Sequence, residues 1–313
     1  MGSRIEFCKH CANHIIVIVS EMTHPFDRYT AAGNTFLVMN TWERPLSLSR
    51  EEMREFVRGA CDHTTGAGAD GLILINQSGL AAAFRMDFYN PDGTTGMLCG
   101  NGARCAALAA KHYGYASSDT VNFEVLGAIN TAEFLPHNSV RVYFQDPTVI
   151  RLNFSVPLEE KSVTASYVDL GSQHVVVFCD DMDIESLNVE HLGSQLRWHP
   201  EFAPKGANAN FIAVREDRNG TYLRIRTFER GVEGETLACG TGCMSSAIVA
   251  VMTERLQTLP VRLLTQSGEF VTVNFSQNGT HVSNLSLEGN VVRGEAGTLT
   301  FDETSGRVQV DHD

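Results

Sequence analysis

Cys99-Gly100-Asn101-Gly102 returns in the second half of the chain as Cys239-Gly240-Thr241-Gly242, an offset from 99 to 239 of 140 residues. Three further landmarks repeat ahead of it in the same order. Ala32–Val38 (AGNTFLV) matches Leu170–Val176 (LGSQHVV), with Gly33 and Gly171 offset by 138. Ala69–Ile75 (ADGLILI) matches Ala207–Ala213 (ANANFIA), again offset by 138 from 69 to 207. Phe88 stands ahead of Asn90 as Phe228 stands ahead of Glu229 and Arg230, an offset of 140. A repeat whose period is near half of a 313-residue chain is a duplicated domain and not a solenoid. Two similar halves can face each other about a pseudo-twofold axis and share a site.

Local patterns fill in the frame. Short β-branched and aromatic runs predict strands at 72–75, 85–89, 121–125, 140–144, 175–178, 211–214, 222–228, 261–264 and 270–275. Small-residue apolar runs follow each Cys-Gly-x-Gly, at Ala103–Ala110 and Cys243–Met252, and predict helices. Ser49–Gly59 reads as an amphipathic helix capped by Ser47 or Ser49. Gln145–Pro157 is the expected crossover. The fold class is therefore α+β, with two pseudo-symmetric domains. Expected bounds are an extension over 1–25, a first half over 26–145 with Cys99 and a second over 146–300 with Cys239. A tail over 301–313 returns to the first half.

The motif itself carries chemistry. Glycines before a helix let the backbone turn sharply and approach a ligand. The helix N-terminus then offers unpaired N–H groups to an anion such as a carboxylate. A cysteine in that field should have a lowered pKa. A lone cysteine before a helix is most often a small hydrophobe; a matched pair in a duplicated frame argues for function. Inverting an amino-acid α-carbon needs a base on one face and an acid on the other, which two pseudo-symmetric thiols supply. Helix N-termini aimed at the carboxylate would stabilise the charge developing there.

Composition narrows the alternatives. Hydrophobic residues are 43% of the chain and charged residues 19%, the proportions of an ordinary globular protein. A formal charge of −13 argues against nucleic acid or an anionic membrane as partner. The longest early apolar run, Ile15–Val19, is too short to span a bilayer. Eight scattered cysteines read as free thiols in a reducing compartment, hence a cytoplasmic protein. Pyridoxal phosphate would need a Schiff-base lysine. The lysines are Lys9, Lys111, Lys161 and Lys205, none in a phosphate-binding context, so no cofactor is expected. Cys8-Lys9-His10-Cys11 with His14 has no second ligand pair at zinc-site spacing, so no metal is expected.

Met86–Cys105 (MDFYNPDGTTGMLCGNGARC) and Ile225–Gly242 (IRTFERGVEGETLACGTG) closely resemble the two catalytic motifs of the diaminopimelate epimerase family. Gly33–Phe36, Gly68–Gly71, Gly171–His174, Ala207–Phe211 and Leu287–Phe301 match in family order. The resemblance implies that each half is a mostly antiparallel, barrel-like sheet wrapped around a central helix. It implies that Cys99 and Cys239 form the acid/base pair, tuned by His174 and Glu229, with Glu229 also binding the reacting amino group. Gly100 with Asn101, and Gly240 with Thr241, would hold the reacting carboxylate. Asn34, Asn90, Asn208 and Arg230 match substrate-binding positions, and the planar fork of Arg230 suits a distal carboxylate. The implied partner is a small amino-acid substrate, and the implied assembly a homodimer.

The chain departs from the family pattern where Ser172-Gln173 replace the usual Asn-Pro, and by one extra residue between Arg230 and Cys239. Ser172 is therefore a candidate specificity position. A same-fold racemase of another amino acid, such as histidine or glutamate, is the alternative within this chemistry. Proline-racemase-like enzymes, which carry His at the place of Asn101, fit less well. A thiol redox or amino-acid-binding protein is the alternative outside it.

Overall fold

The computed structural model describes residues 2–6, 17–95, 99–180, 182–302 and 305–312. In chain order, the first elements are β1 (Gly2–Glu6), β2 (Val17–Ala31), β3 (Asn34–Asn40), α1 (Arg50–Cys61), β4 (Leu72–Asn76), β5 (Phe84–Tyr89), α2 (Gly100–His112) and β6 (Thr120–Val125). There follow β7 (Ala128–Phe134), β8 (Ser139–Tyr143), β9 (Val149–Pro157), β10 (Ser162–Asp169), β11 (Gln173–Phe178), α3 (Val189–Arg197), β12 (Asn208–Asp217) and β13 (Gly220–Glu229). The last are β14 (Gly234–Thr236), α4 (Gly240–Met252), β15 (Val261–Leu264), β16 (Phe270–Asn278), β17 (His281–Asn290), β18 (Val292–Asp302) and β19 (Arg307–His312). The chain forms two compact units, residues 1–129 with 291–313, and residues 130–290.

In the first unit β2 and β3 are antiparallel, joined at Ala32-Gly33, both of positive φ. From β3 the chain crosses through α1 to the parallel β4, then turns back into the antiparallel β5. It leaves β5 through α2 and returns as the parallel β6. β18 and β19 close on the other edge of β2. In α1, the Ser49 hydroxyl accepts from the Glu52 N–H at 3.3 Å while Glu52 accepts from the Ser49 N–H at 2.7 Å. That reciprocal pair satisfies backbone donors the helix leaves open. The buried face of α1, Met53, Phe56, Val57 and Ala60, has the spacing of one helical stripe and packs with Phe26, Leu72, Leu74, Leu299 and Phe301.

The second unit repeats the plan. β10 and β11 are antiparallel, joined at Gly171 with φ 83°. The chain crosses through α3 to the parallel β12, turns back into β13, and leaves through α4 to the parallel β15. β16, β17 and β8 then extend the sheet by antiparallel pairs, and β9 pairs with the far edge of β10. The expected crossover segment thus holds a strand. The helix α3 was not expected from periodicity; it buries Val189 and Leu196 against Val177, Ala209 and Phe228.

Both central helices are buried nearly all round. Gly100 through Ala110 in α2 and Gly242 through Ala250 in α4 are shielded from solvent. A helix enclosed by a sheet must be slim on every face, which explains the Ala-rich run of α2 and the small residues of α4. Each unit is therefore a mostly antiparallel sheet around a central helix. The beginning of that helix is where the Cys-Gly-x-Gly motif falls.

Candidate active site

In the first unit Cys99 is the N-cap of α2, with φ −86° and ψ 118°. Its sulfur accepts from the Gly102 N–H at 3.5 Å, using one of the donors a helix start leaves unpaired. Asn101 is buried, and its Nδ2 donates to Oδ1 of Asn34 at 2.7 Å. The buried Arg104 donates through Nη2 to Oδ1 of Asn101 at 2.9 Å. Asn34, at the start of β3, is thus brought against the motif. Asn90 closes the turn after β5: its Nδ2 donates to Oγ1 of Thr94 at 3.0 Å, and its backbone N–H donates to the Thr94 carbonyl at 2.9 Å.

In the second unit Cys239 is the N-cap of α4. Its sulfur lies 3.5 Å from the hydroxyl of Thr241. His174, on β11, is fully buried, and its Nε2 lies 2.9 Å from the same hydroxyl. Glu229 ends β13 and accepts from the Thr236 hydroxyl at 2.9 Å. His174, Thr241 and Cys239 therefore meet at the start of α4, with the Glu229 carboxylate acting electrostatically on the Cys239 thiol.

A second cluster joins the positions where the chain departs from the family pattern. Asn208 donates through Nδ2 to the Ser172 hydroxyl at 3.0 Å and to the Gln173 carbonyl at 2.8 Å. Its Oδ1 accepts from the Arg230 N–H at 2.8 Å. Arg230 donates through Nη1 to Oε1 of Gln173 at 2.7 Å, and Gln173 donates through Nε2 to Asp169 at 3.0 Å. Ser172 and Gln173 are thus built into the support of Asn208 and Arg230. Gln173 takes one N–H of the guanidinium; among the described residues Nε and Nη2 make no further hydrogen bond, leaving them for an anion.

Burial sets the electrostatics. It lowers the His174 pKa to about 3, helped by the Arg230 charge, so His174 is neutral at physiological pH. It pushes the Cys239 thiol well above its ordinary value, and the Glu229 carboxylate pushes the same way. Thr241 and the Gly242 N–H pull against that shift but do not overcome it. The expectation that a helix start would lower this thiol's pKa is therefore reversed at Cys239: loss of solvation outweighs the helix field. Burial also raises the Glu229 carboxyl, opposed by its hydrogen bond from Thr236.

Among the described residues, Cys61, Cys99, Cys105, Cys179, Cys239 and Cys243 form no disulfide with one another. Cys8, Cys11 and His14 lie outside the described residues. No helix among the described residues is long and apolar enough to cross a membrane. Two polar residues behind His174 were not singled out from sequence: Asn210, which bonds to His174, and Thr227, which bonds to Asn210; their only signal was polarity just before one predicted strand of the second half and inside another.

The family model of diaminopimelate epimerase matches residues 26–150 and 166–293. The chain belongs to the diaminopimelate epimerase family. It is 36% identical over 282 residues to diaminopimelate epimerase of Aquifex aeolicus, covering 88% of this chain and 97% of that one. It is 35% identical over 273 residues to the Chlorobaculum tepidum enzyme of the same name, covering 87% and 100%. Among solved structures it resembles the PhzF-family phenazine biosynthesis protein of Bacillus anthracis, with a TM-score of 0.66 at 15% identity over 88% of this chain and 99% of that one. It also resembles a hydroxyproline epimerase from Agrobacterium vitis, with a TM-score of 0.62 at 16% identity over 91% and 94%. At such identities the structural likeness speaks for the fold: two repeats, each a sheet around a helix.

Proposed function

We infer that this member of the family is an isomerase that interconverts LL- and meso-diaminopimelate, in the supply of lysine and peptidoglycan precursors. The observation that carries the reading is the pair of cysteines at the N-caps of equivalent helices, in a chain matching diaminopimelate epimerases over almost their whole length. The reaction is an α-proton exchange. A thiolate removes the proton from one face, and the other thiol delivers a proton to the opposite face. The two sulfurs end with exchanged protonation states. Cys99 and Cys239 take these roles, reversed for the reverse reaction.

The remaining assignments follow the geometry within each unit. Backbone N–H groups at Gly100-Asn101 and Gly240-Thr241 open helices and suit the reacting carboxylate. Glu229 suits the reacting amino group, and His174 supports the Cys239 side. Arg230 and Asn208 bind the distal end, with Ser172 and Gln173 shaping it; Asn34 and Asn90 contribute from the first unit. The enzyme works without pyridoxal phosphate, as a homodimer, in the cytoplasm.

The test is incubation with the LL isomer in deuterated buffer, with the cysteines reduced. Deuterium should enter at the inverted centre. No turnover under those conditions overturns the assignment. The network around Ser172 and Gln173 favours a second reading, a racemase of another amino acid. A chiral screen of the common amino acids decides between the two, and activity confined to diaminopimelate removes the second.

A further inference from the structure

The repeat makes His174 equivalent to Phe36 at the 138-residue offset, and Asn210 stands against Gly242 where Ile73 stands against Gly102. Phe36 and Ile73 are buried and apolar, whereas His174 and Asn210 are buried and polar. The same place beside the central helix is thus hydrocarbon in the first unit and a hydrogen-bonded chain in the second.

The direction of that chain can be derived. The Asn210 amide nitrogen lies 3.0 Å from the Val175 carbonyl and 3.4 Å from the Asn208 carbonyl, both acceptors. Its Oδ1 accepts from the Thr227 hydroxyl at 3.1 Å. These neighbours fix which end of the amide is NH2, a choice otherwise made by convention. The same nitrogen lies 3.2 Å from Nδ1 of His174. A donor faces Nδ1, so Nδ1 is the acceptor, and the neutral ring carries its proton on Nε2. Nε2–H then donates to Oγ1 of Thr241 at 2.9 Å. With its oxygen lone pair used, the Thr241 hydroxyl can turn its own hydrogen to the Cys239 sulfur at 3.5 Å.

We propose that Asn210 is a positioning residue that sets the tautomer of His174, and through it makes the Thr241 hydroxyl a hydrogen-bond donor to the Cys239 sulfur. The proposal deepens the reading of Cys239 as an acid/base group. A donor aimed at sulfur stabilises the thiolate more than the thiol, and so offsets part of the cost of forming that thiolate in a buried site. The charged neighbours are Arg230 and Asp169 around His174, and Glu229 beside Cys239, where the Cys243 thiol also lies.

The first unit runs differently. There Arg104 donates to Asn101, the equivalent of Thr241, and Asn101 donates on to Asn34. That series ends on a side-chain carbonyl. The two helix starts therefore carry unlike side chains despite the duplicated backbone, Asn101 and Asn34 in one and Thr241 and His174 in the other.

The experiment has a spectroscopic and a chemical arm, neither needing substrate. In protein labelled with 15N-histidine, the ring signals lost in His174→Gln should be those of a neutral, Nε2-protonated imidazole. A wild-type His174 protonated on Nδ1, or charged at neutral pH, overturns the proposal. In the second arm, alkylation of Cys239 by a small haloacetamide is followed by peptide mass mapping across pH, with Cys99 as internal reference. Thr241→Val should slow Cys239 alkylation at neutral pH about ten-fold by removing one charge-assisted hydrogen bond, and Thr241→Ser should keep the wild-type profile.

Asn210→Asp places an acceptor against Nδ1. It should move the ring proton to Nδ1, turn Nε2 into an acceptor of the Thr241 hydroxyl, and reproduce the Thr241→Val profile. If Asn210→Asp does not fold, the wild-type spectrum and the Thr241 pair still decide. An unchanged profile in Thr241→Val sinks the relay. Failure to turn over diaminopimelate would instead strike the substrate assignment and leave both arms readable.

Discussion

At the residue scale, two kinds of position separate. Cys99 and Cys239 are chemical, and replacing either by Ser leaves shape and helix cap nearly intact while removing an ionisable thiol. Each variant should lose at least about 10²-fold in epimerisation, the usual weight of a positioned acid or base. Circular dichroism should be unchanged, and rate measurements with the LL isomer check both. Arg230 is a recognition position. With Nη1 given to Gln173, its remaining N–H groups form the fork that a carboxylate can bind at two points. Lysine keeps the charge but not the fork. Arg230→Lys should therefore raise KM about ten-fold or more with a smaller change in kcat, the signature of lost binding at a non-reacting end. Steady-state kinetics separate the two parameters; a fall in kcat alone would place Arg230 at the reacting centre instead.

Among elements, the strands were legible wherever hydrophobic residues run together. Leu72–Ile75 is apolar because both faces are covered, and it appears as β4; Val261–Leu264 alternates buried with partly exposed residues and appears as β15. Less apolar strands escaped: β9 alternates exposed and partly buried residues along much of its length and reads as connection. The helix α3 has one buried stripe on nine residues, too short for its period to stand out. The start of α4 shows how a strand residue constrains a helix. A Cβ at Gly242 would lie 2.3 Å from Oδ1 of Asn210, whereas one at Gly102 would lie 3.3 Å from the flexible end of Met86 and 3.4 Å from Ile73. Gly242→Ala should cost about 1–3 kcal/mol as an overpacked contact and disturb the His174 hydrogen bonds with it. Gly102→Ala should cost less than about 1 kcal/mol. Urea unfolding of the two variants gives the comparison, and equal losses would mean that Asn210 yields easily.

For the whole molecule, the duplication was legible because a motif, a turn glycine and two strand patterns kept their offset. What the offset conceals is the chemical divergence of the two frames. His174 and Asn210 occupy places that Phe36 and Ile73 fill with hydrocarbon, and their polarity has meaning only when their contacts are known. That divergence makes stability depend on pH. Burial lowers the His174 pKa in the native state to about 3, while an unfolded histidine titrates near 6.5. Between those values the unfolded chain binds a proton that the native one refuses. Stability must therefore fall as pH drops below about 6.5, by up to about 1.4 kcal/mol per pH unit from this group alone. Above that range the group contributes no pH dependence. Replacing it with glutamine, as in His174→Gln, removes the titration but keeps a polar side chain of similar reach. The variant will be the less stable protein at pH 7, having lost the fitted ring. On acidification the wild type should lose ground relative to it, because the neighbouring Asp169, Glu229 and Arg230 are common to both and largely cancel in the difference. Denaturant unfolding of the two proteins from pH 7 to pH 4 measures that difference directly. A gap that narrows steadily toward acid confirms a histidine held neutral by burial, and a constant gap would show that His174 takes up its proton in the native state as readily as in the unfolded chain.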